Sequence, residues 1–272
     1  MTSQTSALPA LQVLWPPELL DASPEVAAQA FARSLHGYAK RLDPEKAKRF
    51  LMAADTPLND AIDDSIVNAF GGVHPKHWVT DYHAFFSDRI ARGQRVLDLG
   101  CGVSMVALSI IERCGAVVTG VDWSEHNLGM AAKLAASRGL ADSLTLVRGD
   151  ICQTRVLGSF DVIVLSNVLE HITDRPHRLR QWTQWYNPSR ILIRVPAFDR
   201  DWRVPLKKEL GLDWRCDQTH ETEYTRPQVE QEMAEAGLHI REIITRWSEY
   251  WVDATPILMP IPILIPTPTR PG

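Results

Sequence analysis

The spacing of hydrophobic and polar residues changes near residue 93, which divides the chain into two kinds of predicted structure. Before that point the pattern is helical: a serine, proline and glutamate at 23–25 suit a helix start, and prolines at 44 and 57 suit two more. A further helix is predicted over 77–91. Its aromatic residues fall close to one face: Trp78, Tyr82, Phe85 and Phe86. Residues 1–92 are therefore predicted to form a helical cap.

After residue 93, short apolar runs alternate with helical stretches. Strands that are apolar throughout are typical of a sheet covered on both faces. Alternation of strands and helices is typical of a parallel sheet. We therefore predict an α/β fold with a doubly wound, Rossmann-like sheet over 93–252. The predicted strands are 95–99, 117–121, 144–148, 161–165, 191–195 and 238–247, and the predicted helices are 103–114, 124–139, 174–186 and 227–236.

The two ends of the chain carry no such pattern. Residues 253–272 are predicted to form a proline-rich tail, in which proline alternates with apolar residues over 256–272; this alternation excludes a helix or an inner strand and favours polyproline II. The first twenty residues lack the basic stretch of a signal peptide. No uncharged apolar run reaches the roughly 20 residues that span a bilayer. We expect no membrane span.

Composition narrows the function classes. With 45% hydrophobic and 23% charged residues, the chain has the balance of a globular protein rather than a disordered one. A net charge of -4 argues against a dedicated nucleic-acid binder, which needs a basic face. The four cysteines show no CxxC spacing, which excludes a thiolate zinc site and is typical of reduced thiols. We expect a cytoplasmic protein.

A glycine turn follows the first predicted strand. The strand runs through Asp98 into Gly100 and Gly102, and a helix follows, so a ligand can approach bare backbone there. A dinucleotide fits poorly, because Met105 stands where its fingerprint needs a small residue and Asp98 would repel a pyrophosphate. An acid at this place suits a ligand with a positive charge. S-adenosylmethionine carries an ammonium and a sulfonium group and meets that requirement.

Acidic residues also end the second and third strands. Asp122 stands 20 residues after Gly102 and suits a grip on ribose hydroxyls, with Trp123 beside it to contact an adenine ring. Asp150 ends the third strand and can accept the adenine amino proton, while Ile151 covers the ring. Acids at the ends of three successive strands form a more specific pattern than one glycine turn.

With these motifs the sequence resembles the class I S-adenosylmethionine-dependent methyltransferases over about 94–195. The resemblance implies an enzyme that binds this cofactor. The chain departs from the fullest form of the first motif by carrying Ser104 where a third glycine is common. We expect the following residues to bind the cofactor: Asp98, Gly100, Gly102, Asp122, Trp123, Asp150, Ile151 and Asn167.

The residues after the fourth strand bear on the methyl acceptor. The Asn/Asp-Pro-Pro-Tyr motif of DNA amino-methylating enzymes is absent here. Instead, Glu170 and His171 resemble the pair found in O-methyltransferases of the ubiquinone-biosynthesis type. In some relatives an acid three residues before this pair helps to bind a divalent metal. This chain has Asn167 there, so we expect no metal.

Methyl transfer to a hydroxyl benefits from a base with a pKa near neutrality. His171 and His220 are the candidate bases, and Glu170 is a candidate to orient His171. The basic and aromatic stretch 198–217 resembles that of methyltransferases associated with surface polysaccharides. Its Trp202 and Trp214 are candidate stacking platforms for a sugar. The expected acceptor is therefore a small molecule or a glycan precursor.

Several alternatives stay open. A non-catalytic module that binds S-adenosylmethionine would keep the glycine turn and the acids without a base. A nucleic-acid methyltransferase is disfavoured by the charge and by the missing amine motif. The segment 72–83, with three histidines and a tyrosine just before the fold, either lines a pocket or packs on the sheet. The oligomeric state is left open.

Overall fold

The computed structural model describes residues 21–257. Contacts within the chain divide it into two compact units, 1–60 and 61–272. The predictions about a signal peptide and about a polyproline tail beyond residue 257 lie outside the described residues. Among the residues that are described, no helix is long and apolar enough to cross a membrane.

The N-terminal region is helical, as predicted. Helix α1 (Pro24–Ala39) begins where Ser23 Oγ accepts the N–H of Val26 at 3.4 Å. Helix α2 (Pro44–Ala69) contains Pro57 in its interior, so the prediction that a new helix begins there is wrong. The residues before Pro57 are good helix formers with no turn residue among them, and the helix continues across the proline.

The predicted helix over 77–91 is also wrong. Two short helices, α3 (Lys76–Val79) and α4 (Ala84–Ser87), replace it. Asp81 between them has a φ of 43°, which no helix allows, and its carboxylate pairs with Arg113 at 2.6 Å. Trp78 is 51% exposed and so stays out of the predicted apolar face. The other aromatic residues of that face are buried against Trp251: Tyr82, Phe85 and Phe86.

A seven-stranded sheet forms the centre of the larger unit, in the order β3-β2-β1-β4-β5-β7-β6. Strands β1 to β5 are parallel, and β7 is antiparallel to both of its neighbours. The strands are β1 (Arg95–Leu99), β2 (Val117–Asp122), β3 (Leu144–Arg148), β4 (Val162–Ser166), β5 (Arg190–Pro196), β6 (Leu238–Arg246) and β7 (Glu249–Pro256). The six predicted strands are confirmed, and β7 was missed.

Helices cover both faces of this sheet, each over its own apolar core. Trp182, Leu179 and Met233 belong to one core, and Phe86, Ile110 and Trp251 to the other. The predicted doubly wound α/β sheet is therefore confirmed. Helix α8 was not predicted, because its sequence is largely charged. The helices are α5 (Met105–Cys114), α6 (Glu125–Ser137), α7 (Arg175–Tyr186), α8 (Arg203–Glu209) and α9 (Arg226–Glu235).

The domain boundaries at 92 and 252 stay predictions. The last strand, β7, ends at Pro256, four residues beyond the second of these boundaries. The chain order of the strands reverses between β1 and β4, since β2 and β3 lie on one side of β1 and β4 and β5 on the other. In open α/β sheets, ligands bind outside the carboxyl ends of the strands at such a switch point.

Candidate active site

A cavity of about 630 Å³ opens at the carboxyl ends of β1, β2, β3 and β4. It brings together most of the residues that the sequence indicated: Gly100, Asp122, Trp123, Asp150, Ile151, Asn167 and His171. Four others indicated by the sequence are not among its lining residues: Asp98, Gly102, Glu170 and His220. Lining residues that the sequence did not indicate include Cys152, Val168, Ile172 and Thr219.

The glycine turn presents bare backbone to this cavity. Gly100 has a φ of +74°, a conformation that side chains other than glycine's rarely allow. A Cβ atom at this position would lie 2.6 Å from Cγ2 of Val168, which lines the same cavity. Both the backbone conformation and the close approach therefore require glycine.

Asp122 ties the glycine turn to the start of α6. Its Oδ2 accepts the N–H of Gly102 at 2.8 Å, and its Oδ1 accepts the N–H of Ser124 at 2.8 Å. Each carboxylate oxygen has a second acceptor position. The side chain is thus fixed in place while it keeps the capacity to accept from two ribose hydroxyls.

Asp98 lies buried at the end of β1, with 2% of its surface exposed. Burial raises the pKa of its carboxyl to about 7, and the negative charge of Asp122 adds to the shift. A cation placed beside the pair would favour the ionised form of Asp98 and relieve the repulsion. The carboxyl is therefore suited to a positively charged ligand, and its predicted role in binding the cofactor stays a prediction.

One side of the cavity is formed by the loop after β3. Asp150 Oδ1 accepts the N–H of Cys152 at 2.8 Å, and Oδ2 accepts the side-chain amide of Gln153 at 2.8 Å. Ile151 follows, and its carbonyl accepts the indole N–H of Trp182 at 3.0 Å. Trp123, 79% exposed, stands on the other side with its ring available to a planar ligand.

His171 is held by a hydrogen-bonded chain. Its Nδ1 lies 3.0 Å from Oγ1 of Thr219, and that hydroxyl donates its one proton to Oδ1 of Asp217 at 2.7 Å. The hydroxyl must then accept from Nδ1–H of His171, which leaves Nε2 as the free acceptor. Burial lowers the pKa of His171, and the neighbouring His220 adds to the effect. The ring is therefore neutral near pH 7.

Glu170 and His220 lie behind His171. The rings of His171 and His220 are 4.6 Å apart at their centroids, and Nδ1 of His220 lies 3.4 Å from Oε1 of Glu223. Glu170 is fully buried, and neither of its carboxyl oxygens has a hydrogen-bond partner. Burial raises its pKa to about 8, so it is mainly neutral at pH 7. The hydrogen bond that orients His171 comes from Thr219 and not from Glu170.

Among the residues that the structure describes, two overlapping groups of side chains have potential metal-ligating atoms that lie within 4.8 Å of one another. One consists of Glu170, His171 and His220, and the other of Cys216, His220 and Glu223. Glu223 already pairs with Arg200, and the His171 Nδ1 already contacts Thr219. The expectation of no metal stays a prediction.

The parallel sheet with its switch point, the glycine turn and the strand-end acids define a Rossmann-like methyltransferase fold. A family model described as a methyltransferase domain matches residues 75–243, more than half of the chain. The chain therefore belongs to the methyltransferase-domain family. The predicted family is confirmed, and so is the methyltransferase class.

Curated relatives carry the name ubiquinone biosynthesis O-methyltransferase. One from Caulobacter sp. is 31% identical over 122 residues, which cover 45% of this chain and 48% of that protein. Another from Rhizobium leguminosarum bv. trifolii is 30% identical over 163 residues, covering 57% of this chain and 63% of that protein. The chain thus spans about half to just under two thirds of the length of these relatives.

Solved structures share the fold. A riboflavin-derivative dimethyltransferase, RosA of Streptomyces davawensis, gives a TM-score of 0.55 at 22% identity and covers 74% of this chain and 59% of that one. An O-methyltransferase family 2 protein of Planctomyces limnophilus, in complex with apigenin, gives 0.54 at 21% identity, covering 79% of this chain and 62% of that one. At these identities the likeness shows the fold alone.

Proposed function

We propose that this protein transfers a methyl group from S-adenosylmethionine to a hydroxyl of a small molecule or a sugar-bearing precursor, with His171 as the base. The observation that carries the proposal is the chain from Asp217 through Thr219 to Nδ1 of His171, which leaves Nε2 free beside the cavity. The relatives named O-methyltransferase add support for a hydroxyl acceptor.

The residues of the cavity fit the cofactor, together with Asp98, which lies buried at the end of β1 outside the cavity lining. Asp98, with its raised pKa, would receive the ammonium group, and the backbone at Gly100 leaves room for the amino-acid portion. Asp122 would accept from the ribose hydroxyls, while Asp150 and Trp123 would contact the adenine. When bound, S-adenosylmethionine supplies a methyl group on a positively charged sulfur.

The chemistry left to the protein is positioning and removal of one proton. With both ligands bound, Nε2 of His171 would accept the proton of the acceptor hydroxyl, whose oxygen takes the methyl group while the sulfur keeps the electron pair of its broken bond to that group. The imidazolium that results keeps its Nδ1–H on Thr219, whose own proton points to the carboxylate of Asp217. That negative charge, one hydroxyl away, stabilises the protonated ring.

A sugar-bearing acceptor is supported by the aromatic residues near α8. Trp202 is 69% exposed and free to stack on a sugar face. Trp214 instead packs edge-on against Phe198, with Lys208 within 5.0 Å of both ring centroids. Of the two tryptophans singled out in the sequence, Trp202 is thus the better platform.

We also propose the cytoplasm as the compartment of this protein. The support is the state of its cysteines, which are all free thiols: Cys101, Cys114, Cys152 and Cys216. Free thiols of this kind are typical of proteins that work where the redox poise is reducing.

The test is an incubation of the purified protein with methyl-labelled S-adenosylmethionine and a small-molecule extract, followed by mass spectrometry. We expect labelled products whose mass and fragmentation place the methyl on oxygen, and labelling that is slower by roughly 10²- to 10⁴-fold with His171→Ala. Tight binding of S-adenosylhomocysteine without any labelled product would favour the non-catalytic module. Label on nitrogen or on nucleic acid would contradict the hydroxyl assignment.

A further inference from the structure

A buried cation is hydrogen-bonded to a residue that lines the cavity. Arg194, in β5, is 4% exposed, and its Nε donates to Oδ1 of Asn167 at 2.7 Å. Its guanidinium carbon lies 3.9 Å from the ring centroid of Tyr82 and 5.3 Å from that of Trp251. Asn167 itself lines the cavity, so Arg194 is one hydrogen bond away from bound ligands.

The hydrogen-bonding capacity of Arg194 is not filled. Glu249, the nearest carboxylate, lies 3.6 Å from Nε. The terminal nitrogen Nη1 is buried and has no hydrogen-bond partner. A buried N–H of a charged group costs free energy unless an acceptor meets it, so native structures rarely leave one unpaired. An acceptor supplied by a ligand would remove that cost.

A second cation lies against the same tyrosine. Nζ of Lys76, at the start of α3, lies 5.7 Å from the ring centroid of Tyr82. Burial lowers the pKa of Lys76, and the charge of Arg194 lowers it further, while Glu249 and the exposed Asp63 act in the opposite direction. Within residues 21–257, no carboxylate oxygen lies within ion-pair distance of this Nζ.

The cluster therefore carries an uncompensated positive charge. Lys76 and Arg194 contribute two charges, and Glu249 balances one of them, while Asp63 is exposed to solvent and lies beyond ion-pair distance of Lys76. The neighbouring histidines add none, because burial lowers the pKa of His77 to about 3 and that of His83 to about 4. One surplus positive charge matches a single carboxylate better than a phosphate dianion.

We propose that Lys76 and Arg194 form a binding site for a carboxylate group of the methyl acceptor. The inference rests on the proposed function and narrows its substrate class to hydroxylated carboxylic acids. The sheet order supports the acceptor as the source of the carboxylate. The strands proposed to hold the cofactor are β1, β2 and β3, whereas Arg194 on β5 and Glu249 on β7 lie on the far side of β4.

The test compares two probes that differ by one carboxylate, 3,4-dihydroxybenzoate and catechol. Their affinities are measured by isothermal titration calorimetry with the full-length protein, with and without S-adenosylhomocysteine. We expect the wild type to bind the acid about 10- to 100-fold more tightly than catechol. Lys76→Met should bring the two affinities close together and leave the affinity for S-adenosylhomocysteine unchanged.

The matched control is Lys133→Met, the same loss of charge at an exposed position on α6, which should keep the preference for the acid. Arg194→Lys is a second variant, which keeps the charge and should bind the acid more weakly than the wild type. Equal affinities for the two probes in the wild type, including no measurable binding of either, would overturn the proposal. Weaker binding of S-adenosylhomocysteine by Lys76→Met would also overturn the proposal, because Lys76 would then bind the carboxylate of the cofactor and not that of the methyl acceptor. Failure of the wild type to bind S-adenosylhomocysteine would count against the proposed function instead.

Discussion

At the scale of single residues, the role assigned to His171 depends on which of its nitrogens is free. Because the Thr219 hydroxyl accepts a hydrogen bond from Nδ1–H, Nε2 carries no proton and can act as a base. His171→Ala should lower the rate of methyl transfer by roughly 10²- to 10⁴-fold. Thr219→Val should lower it less, since it removes the orientation and keeps the base. Single-turnover rates and calorimetry with S-adenosylhomocysteine would check both, and the cofactor affinity should hardly change.

The pH dependence of the rate follows from the same ring. Burial and His220 lower the pKa of His171 below its ordinary value of 6.5. The base therefore stays unprotonated to lower pH than a free histidine, and the rate should fall only when the pH drops below about 6.5. A pH–rate profile of the wild type would show this. A midpoint above 7 would mean that another group limits the rate.

Asp98 should make cofactor binding depend on pH. Its pKa of about 7 in the folded protein lies above the 3.8 of the unfolded chain. The protonated form is thus favoured by folding, and the ligand-free protein should lose stability as the pH rises from about 4 to about 7. A bound ammonium group needs the ionised form, so the affinity for S-adenosylhomocysteine should rise over the upper part of this range, with release of a proton.

Calorimetry in two buffers of different ionisation enthalpy would measure that proton. Asp98→Asn cannot ionise, so its binding should be weak and almost independent of pH between 5 and 8. Its ligand-free form should be more stable than the wild type at pH 8, because the penalty for burying the charge is gone. Wild-type affinity that stays constant from pH 5 to 8 would contradict this role of Asp98.

At the scale of elements, the start of α5 carries a residue in an unfavourable conformation. Ser104 has a φ of 62°, in the left-handed region, at the position where the family often has glycine. Ser104→Gly should stabilise the protein by about 1 kcal/mol, because a left-handed conformation costs a side chain about that much. Denaturant unfolding would measure the change. The matched control is Ser109→Gly inside α5, which should destabilise by about 1 kcal/mol.

The elements also show what the sequence could and could not predict. The strands before the site are predictable, because apolar runs that end in Asp98, Asp122 and Asp150 are a local signal. Strand β7 was missed because its turn, Trp247 and Ser248, has positive φ angles of 50° and 66° without the glycine or asparagine that usually signals such a turn.

Contacts between side chains that are far apart in the chain could not be predicted from the sequence. Thr219 lies 48 residues from His171, within a charged stretch that has no periodicity, and only the folded chain places its hydroxyl on the imidazole. The burial of Arg194 could not be predicted from the sequence either. Arg194 packs against Tyr82, which precedes β1 in the sequence, and against Trp251, which lies in the last strand, β7.

At the scale of the whole molecule, β7 completes the sheet. It lies between β5 and β6, and its Asp253 is 5% exposed and pairs with Arg190 at 3.2 Å. A chain that ends after Val252 should be less stable by about 3 kcal/mol, since it removes the buried carboxylate that pairs with the half-buried Arg190 and shortens two strand pairings. A chain that ends after Ile257 keeps all of β7 and is the control. Thermal unfolding of both chains would test this prediction, and equal stability would contradict it.

The place of β7 in the sheet has a consequence for synthesis on the ribosome. About 50 residues separate the end of β5 at Pro196 from the start of β7 at Glu249. While these are being translated, the nascent chain holds β5 with one open edge of unpaired backbone, rich in apolar residues. Strand β6 cannot close that edge directly, because it pairs only with β7. The growing polypeptide therefore exposes a surface prone to aggregation until β7 has emerged, which is the kind of surface that chaperones protect.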